Sequence, residues 1–315
     1  MKMRIYTLKT RSGLHCGIGQ GLSDIDLPTA RESVSGYPIV PGSSLKGVLR
    51  DHFKPVDSGQ SEESEKFFAA FGPDTDSSGE IDYASALSFT DSRLICLPVR
   101  SYFGTFAYMA SPYSLNILKV LLKQAEWENL PPIPSYPSPK KTDSYRASVT
   151  KDSKLISFGR LENSILLEDL DLLVDANSSS LADAWADVIS RMLYPGDAEE
   201  AQLFKDRFVI ADDNVMAFFC ESALPVAAHT KIGENGVVQE RAFWYEEFVP
   251  PEAIFVGAVF GEAGKGDKYK KFSAGDLIDF VCSSSIDCQV GGNATTGRGL
   301  VSITFPVKGG GNDKE

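Results

Sequence analysis

Residues 13–53 limit the folds open to this chain more than any other part of the sequence. They begin with a glycine cluster, Gly17-Ile18-Gly19-Gln20-Gly21, and Leu22 follows it. A dinucleotide-binding fingerprint needs its third glycine one position later, where a helix begins. The later run Gly42-Ser43-Ser44-Leu45-Lys46-Gly47 lacks the glycine spacing and the Lys-Ser/Thr pair of a P-loop. The sequence therefore predicts neither of these nucleotide-binding folds.

An amphipathic helix is predicted directly after residues 37–41, which their two prolines hold extended. Ser43 or Ser44 is expected to cap it, and its apolar face comprises Leu45, Val48, Leu49 and Phe53. Lys46 and Arg50 form a basic stripe beside that face. A Gly42-Ser43-Ser44 turn there would present backbone N–H groups and positive dipole to an anion. Helix capping explains the serines equally well, but it does not explain the basic stripe.

The rest of the chain mixes strands and helices without the regular βαβ order of a doubly wound sheet. Strands are predicted within residues 3–9, 88–108, 253–260 and 300–307, and helices at 66–71, 114–124, 181–193 and 273–282. Ser180 and Asp183 are expected to form a capping box at the helix over 181–193. Five prolines within residues 131–139 indicate an extended linker. This pattern favours an α+β fold with a mainly antiparallel sheet.

Two turn-containing segments carry further candidate binding residues. Residues 223–247 place Asn235-Gly236 between two β-rich arms, which predicts a hairpin with a two-residue turn. Its polar positions include His229, Lys231, Arg241 and Trp244. In the closing run QVGGNATTGRG, the glycines allow backbone to approach a ligand and the polar side chains offer donors; the candidates are Gly291, Gly292, Asn293 and Arg298. A plain hairpin turn explains this run about equally well.

Acidic residues are separated from the N-terminal segment, although the whole chain has a net charge of −12. Residues 1–55 hold eight basic and four acidic side chains, whereas 57–82 and 161–200 hold eight and ten acids with one base each. Solvated acidic faces that keep the protein soluble are favoured over an acidic partner-binding role. The overall charge therefore does not exclude nucleic acid, because the N-terminal segment is basic.

Metal and nucleophile motifs are sparse. The five cysteines are never spaced as C-x-x-C and the three histidines are scattered, so neither a disulfide framework nor a zinc site is predicted. His15 and Asp26 lie in one loop, where Asp24 and Asp26 are most simply turn formers. Without a long apolar run, the sequence leads us to expect a soluble, cytoplasmic protein with no membrane partner.

Six stretches together make a specific family resemblance. They are IYTLKTRSGLHCGIG, IDLP, GYPIVPGSSLKGVLR, LPVRSYFGTFAYMASP, AFWYEEFVP and QVGGNATTGRG, and they extend in order from Met3 to Val307. The chain closely resembles the backbone RAMP subunits of type III-B CRISPR effectors, the Cmr complexes. That resemblance implies a ferredoxin-like (RRM-like) palm with an inserted β-hairpin thumb and helical insertions. It implies one RAMP domain over 1–315, with a palm at 1–125 and 250–308, an insertion at 126–222, a thumb at 223–247 and a tail at 309–315.

The resemblance also implies a function. Copies of the chain would stack helically along a guide (CRISPR) RNA, beside other Cmr subunits, and would cut complementary single-stranded target RNA next to each thumb. The expected chemistry is attack by a ribose 2′-hydroxyl on the adjacent phosphorus, with Mg²⁺ or another divalent metal. Two alternatives stay open: a subunit that coats RNA without cutting it, and a stand-alone guide-processing ribonuclease that uses His15 as its base.

Residue by residue, the resemblance implies a site around Asp26. Asp26 matches the loop aspartate of the family and would hold the metal or take the hydroxyl proton, while His15 and Glu246 match further site residues. The family's glutamine before the proline is Leu27 here, and the tyrosine that closes its W-Y-E-E-Y run is Phe248. The implied RNA-binding residues are Gly42, Ser43, Ser44, Lys46, Arg50, Lys231, Arg241, Trp244, Gly291, Gly292, Asn293 and Arg298.

Overall fold

The computed structural model describes residues 1–19, 25–56, 61–73, 83–136, 144–157, 163–175, 178–232 and 238–308, without the side chains of 238–242. Within these ranges the strands are β1 (Lys2–Thr10), β2 (Ile39–Val40), β3 (Leu87–Phe89), β4 (Ser92–Arg100), β5 (Phe106–Ala110), β6 (Arg146–Val149), β7 (Ser164–Leu167), β8 (Leu170–Val174), β9 (Phe208–Ala211), β10 (Val226–Ile232), β11 (Val238–Glu247), β12 (Ile254–Gly261), β13 (Ile286–Gln289) and β14 (Leu300–Thr304). The helices are α1 (Gly42–His52), α2 (Glu62–Phe71), α3 (Pro112–Gln124), α4 (Ser179–Leu193), α5 (Ala198–Lys205), α6 (Asp213–Ser222) and α7 (Ala274–Cys282).

Twelve of these strands form one mixed sheet, in the order β13-β14-β1-β12-β4-β5-β9-β6-β8-β7, with β2 on β4 and β3 on β12. Strand β1 is buried on both faces because its alternating side chains enter two cores. Ile5 packs with residues of α3 and α4, while Tyr6 and Leu8 pack with residues of α1, α2 and α7. The sheet thus lies between two layers of helices.

The predicted α+β class is confirmed, and the sheet is mainly antiparallel, as expected. The parallel exceptions are the β5–β9 and β6–β8 pairs. Strands β10 and β11 form a separate two-stranded sheet, in which Ala227 pairs with Glu246 and His229 with Trp244. We call this sheet the hairpin; its predicted Asn235-Gly236 turn lies outside the described residues. No helix among the described residues is long and apolar enough to cross a membrane.

The middle of the chain contributes more to the sheet than its sequence pattern predicted. Strands β6, β7, β8 and β9 all fall within residues 126–222 and extend the same sheet. Each has only four or five residues, too few for a visible alternation. The division into palm, insertion and thumb stays a prediction.

Two predicted helix caps are wrong. Helix α1 begins at Gly42, directly after Pro41, which supplies no side-chain cap. Because it begins earlier than expected, Ser43 and Ser44 lie inside its first turn, and the Asp91 carboxylate accepts the Gly42 N–H at 2.8 Å.

The expected capping box of α4 is also absent. The helix begins at Ser179, after Ser178, and no side chain caps it. Asp183 instead accepts the backbone N–H of Lys151 at 3.1 Å, so a tertiary contact replaces the local one. Elsewhere, α2 begins four residues before the predicted helix at 66–71, and the last strand ends at Thr304 rather than at 307.

Helix α1 needs a glycine at its first position. A Cβ on Gly42 would collide with the backbone of Phe89 and Thr90, whereas a Cβ on Gly47 would meet open space. The glycine therefore lets the start of the helix lie against the chain between β3 and β4.

We expect Gly42→Ala to lower the free energy of unfolding by about 1–3 kcal/mol, because the neighbouring backbone must shift to admit the methyl group. Gly47→Ala in the same helix is the matched control, and it should raise stability by about 0.5–1 kcal/mol. Urea denaturation of both variants measures the difference. Equal stability of the two variants would contradict this account of the helix start.

Candidate functional site

A groove brings together three sequence stretches that lie far apart in the chain. It has a volume of about 610 Å³ and lies between the loop after β1, one face of α1 from Ser43 to Asp51, and the loop between β13 and β14. Its lining includes His15, Leu27, Ser43, Ser44 and residues 291–293. The predicted site segments are therefore neighbours in the fold.

Asp26 lies next to this groove with its side chain exposed. Its Oδ2 accepts the backbone N–H of Tyr245 at 2.8 Å. Leu27, the next residue, donates its N–H to Tyr245 O and accepts the N–H of Glu247, both at 3.0 Å. These three hydrogen bonds attach the Asp26 loop to the end of β11, while the Asp26 residue stays exposed.

His15 is buried, with 6% of its surface exposed, and lines the groove. Its Nδ1 lies 2.7 Å from Glu247 O, and because a carbonyl oxygen only accepts, Nδ1 carries the proton. The other ring nitrogen, Nε2, lies on the side of Gly17, where a Cβ would collide with it. The imidazole is thus fixed in one orientation.

Glu246 is completely buried at the base of the hairpin. Its Oε2 lies 2.6 Å from His229 Nε2 and its Oε1 lies 3.6 Å from Arg298 Nε, although neither contact has the geometry of a hydrogen bond. His229 stacks on Trp244, and the Arg298 guanidinium lies 3.7 Å from the centre of the Phe248 ring. Glu246 therefore joins the hairpin to the loop that carries Arg298. Its role in chemistry stays a prediction.

The hairpin exposes two aromatic side chains besides Trp244, the one that the sequence analysis named as a binding residue. Lys231 is exposed, as expected of a binding residue, and the Arg241 side chain lies outside the described part of the structure. Phe243 and Tyr245 are 52% and 41% exposed and pack edge to face with each other. Their alternation with Trp244 in AFWYEE was the available signal, because alternate strand residues share a face.

Lys46 and Arg50 both make intramolecular hydrogen bonds. Lys46 Nζ donates to Ser85 Oγ at 2.6 Å and to Leu87 O at 3.2 Å. Burial, and then the nearby Arg50, lowers the pKa of Lys46. Arg50 donates to the carbonyls of Phe71 and Gly72, both at 3.0 Å. The stripe therefore attaches the chain around α2 and β3 to α1, and its contact with RNA stays a prediction.

The run QVGGNATTGRG is both a hairpin turn and part of the groove. It joins the antiparallel strands β13 and β14, and residues 291–293 line the groove. Gly291 has a φ of +85°, and a Cβ there would collide with the carbonyl of His15. Gly292 N–H donates to that same carbonyl at 2.8 Å. These glycines therefore allow a close approach to the His15 loop.

Sequence reasoning missed Glu247, the neighbour of Glu246. Its carboxylate is buried and contacts Thr29 and Arg31, two residues of the loop that follows Asp26. The two adjacent acids looked equivalent in the sequence, and only their alternation along β11 separates them.

Comparison with known proteins identifies the family. Residues 7–302 match the RAMP superfamily, and the chain belongs to it. The CRISPR system Cmr endoribonuclease Cmr4 of Pyrococcus furiosus is 30% identical over 97% of this chain and 96% of its own length. The CRISPR system CMR subunit Cmr4 of Saccharolobus solfataricus is 22% identical over 95% of each chain.

Solved structures show the same fold. The crystal structure of oligomeric Cmr4 from Pyrococcus furiosus matches with a TM-score of 0.67 and 27% identity, over 97% of this chain and 98% of that one. A chain of the type III-B Cmr-beta complex bound to cognate target RNA matches with a TM-score of 0.66 and 19% identity, over 97% of each chain.

We expect Lys46→Met to lower the free energy of unfolding by about 1 kcal/mol, because Ser85 and Leu87 lose a charged donor. Lys54→Met removes an exposed lysine just after the same helix and should change stability by less than about 0.5 kcal/mol. Urea denaturation of both variants provides the comparison. If the two variants unfold alike, the contacts of Lys46 do not stabilise the protein.

Proposed function

We propose that this chain is a backbone subunit of a type III-B CRISPR effector and cleaves target RNA held by a guide RNA. The observation that carries the proposal is the exposed Asp26 carboxylate, fixed by Tyr245 beside a groove that His15 lines. The relative named an endoribonuclease supports the activity. The oligomeric Cmr4 crystal structure supports stacking of copies, and we extend this to other Cmr subunits as partners.

The groove fits the sugar–phosphate backbone of RNA. Ser43 and Ser44 place hydroxyl groups at the N-terminal end of α1, and Gly47 leaves the exposed surface of that helix without a side chain. The positive end of the helix dipole favours a phosphate there. In this proposal α1 and residues 291–293 hold the guide, with Lys46, Arg50 and Arg298 nearby. The palm is ferredoxin-like, and the hairpin is the thumb that separates neighbouring nucleotides with Lys231, Arg241 and Trp244.

The proposed reaction is an internal transesterification. The Asp26 carboxylate accepts the proton of the target's 2′-hydroxyl, and that oxygen bonds to the adjacent phosphorus while the bond from phosphorus to the 5′ oxygen breaks. Protonated His15 donates from Nε2 to the departing 5′ oxygen. The products are a 2′,3′-cyclic phosphate and a 5′-hydroxyl end. Most of the rate enhancement comes from holding the reacting atoms in line, with proton transfer adding to it.

A divalent metal fits this site only as a weakly held ion. No three His, Cys, Asp or Glu side chains are grouped as ligands in the part of the chain that the structure describes. The exposed Asp26 carboxylate would hold Mg²⁺, which often takes one or two carboxylates and completes its shell with water and phosphate oxygens. When bound, such an ion neutralises charge on the phosphate.

We expect Asp26→Asn to reduce target cleavage by at least about 100-fold, because the amide cannot accept the proton. Binding of guide and target should stay within about twofold, since an amide oxygen still accepts the Tyr245 N–H and preserves the loop. The measurement is single-turnover cleavage of complementary RNA by the guide-loaded complex. Asp171→Asn, which changes an exposed carboxylate on β8, is the control and should cut like the parent.

Two results would overturn this assignment. A parent complex that binds target but never cuts it would identify a subunit that only coats RNA. Cleavage of repeat RNA by the isolated chain, lost in His15→Ala but kept in Asp26→Asn, would identify a guide-processing ribonuclease.

We also expect EDTA to reduce cleavage by the parent complex by at least about 100-fold and added Mg²⁺ to restore it, because the phosphate charge would otherwise stay uncompensated. Asp26→Asn should recover no activity with Mg²⁺. Cleavage at the parental rate in excess EDTA would show that the reaction needs no divalent metal. Asp26 would then act only as the proton acceptor.

A further inference from the structure

Glu247, the last residue of β11, contacts both loops that carry the proposed reacting groups. Its carbonyl binds His15 Nδ1, its N–H binds Leu27 O, and its carboxylate contacts Thr29 and Arg31. We propose that Glu247 is a positioning residue, which holds Asp26 and His15 in the geometry for cleavage without touching RNA itself. This inference rests on the proposed function of the same site.

The carboxylate of Glu247 has its hydrogen bonds inside the protein. Its side chain is 5% exposed, Oε2 accepts the Thr29 N–H at 3.1 Å, and Oε1 lies 2.5 Å from an Arg31 guanidinium nitrogen. The other terminal nitrogen of Arg31 donates to Gly36 O at 2.9 Å and Cys220 O at 2.8 Å. Both carboxylate oxygens are therefore occupied by partners inside the protein, so Glu247 is suited to hold structure rather than to move a proton.

The segment after Asp26 depends on these contacts because it contains a proline. Asp26 and Leu27 are held by the backbone of β11. Pro28 has no N–H, so the next residue able to donate toward β11 is Thr29, and its N–H binds the Glu247 carboxylate. The side chain of Glu247 therefore supplies a second anchor three residues after Asp26, and Arg31 neutralises its charge.

The neighbouring Glu246 faces the other way. It lies beside His229 of β10 and Arg298 of the β13–β14 loop. Glu247 is thus the acid of this pair whose side chain is bonded to the Asp26 loop.

Removing the negative charge of Glu247 should release this loop. Arg31 would lose its counter-ion, and the anchor at Thr29 would weaken. Because a displacement of about 1 Å at a reacting group can cost about 100-fold in rate, the effect should appear in kcat. The proposed guide contacts lie on α1 and residues 291–293, so KM and RNA affinity should stay near parental values.

The test compares Glu247→Gln with Glu252→Gln in the guide-loaded complex. Glu252 follows the same strand and also forms an ion pair, with Lys9 at 2.7 Å, but its carboxylate contacts Lys9 and Tyr108 rather than the Asp26 loop. We expect Glu247→Gln to lower kcat by about 10- to 100-fold with KM within about twofold. Glu252→Gln should lose thermal stability and retain parental kcat. Hydrogen exchange over residues 25–31 should become about tenfold faster in Glu247→Gln only.

The outcomes separate the positioning role of Glu247 from the proposed cleavage activity. If the parent cuts, Asp26→Asn does not, and Glu247→Gln keeps parental kcat and exchange, the positioning role is overturned while the function stands. If the parent does not cut, the proposed function fails, and hydrogen exchange still shows whether Glu247 holds the loop. Should Glu247→Gln fail to assemble, Arg31→Lys replaces it, because lysine cannot reach all three acceptors. Arg31→Lys should lower kcat about three- to tenfold, and a parental kcat in this variant would overturn the positioning role of Glu247.

Discussion

The pairing of Leu27 with the end of β11 is the interaction on which the candidate site depends. Two backbone hydrogen bonds join residues about 220 positions apart in the chain, and a third joins Tyr245 to the Asp26 carboxylate. Pro28 removes one backbone donor from this loop, and the residues on either side of it, Leu27 and Thr29, donate to β11. The position of Asp26 is therefore a property of the hairpin strand as much as of its own loop.

Two adjacent buried glutamates, Glu246 and Glu247, lie at the end of β11 and contact different parts of the site. Burying a carboxylate costs several kcal/mol unless a cation and hydrogen bonds compensate it, and removal of one partner is strongly destabilising. Glu247 has such compensation from Arg31 and Thr29. Glu246 lies beside His229 and the Arg298 guanidinium without hydrogen-bond geometry, so its attraction to Arg298 is electrostatic. Alternation along one strand gives these adjacent acids different partners.

Long periodic elements could be predicted from the sequence, because their burial pattern is local. This holds for β1, α1, α3, α4, α7 and the hairpin strands. Three of the segments that carry predicted site residues line one groove. The short strands β6 to β9 escaped notice because four or five residues show no clear period. Helix caps were wrong where tertiary partners replaced local ones, as at Asp183.

The partners of charged residues were the least predictable feature. Lys46 and Arg50 looked like a free basic stripe, yet both donate to carbonyls of distant segments. Spacing shows which residues share a helix face, but it does not show what packs against that face. Glu246 was selected because it matches a site residue of the family, whereas the partners of Glu247 were not visible in the sequence.

Strand β11 is ten residues long, and its last three residues hold both loops of the site. At about 3.3 Å per residue it extends roughly 30 Å from the far end of the hairpin to the groove. Because β11 is continuous over that length, a tilt imposed at its far end moves its last residues. That movement changes the distance between the Asp26 carboxylate and the His15 imidazole. Engagement of the hairpin and readiness for bond breaking are therefore mechanically linked.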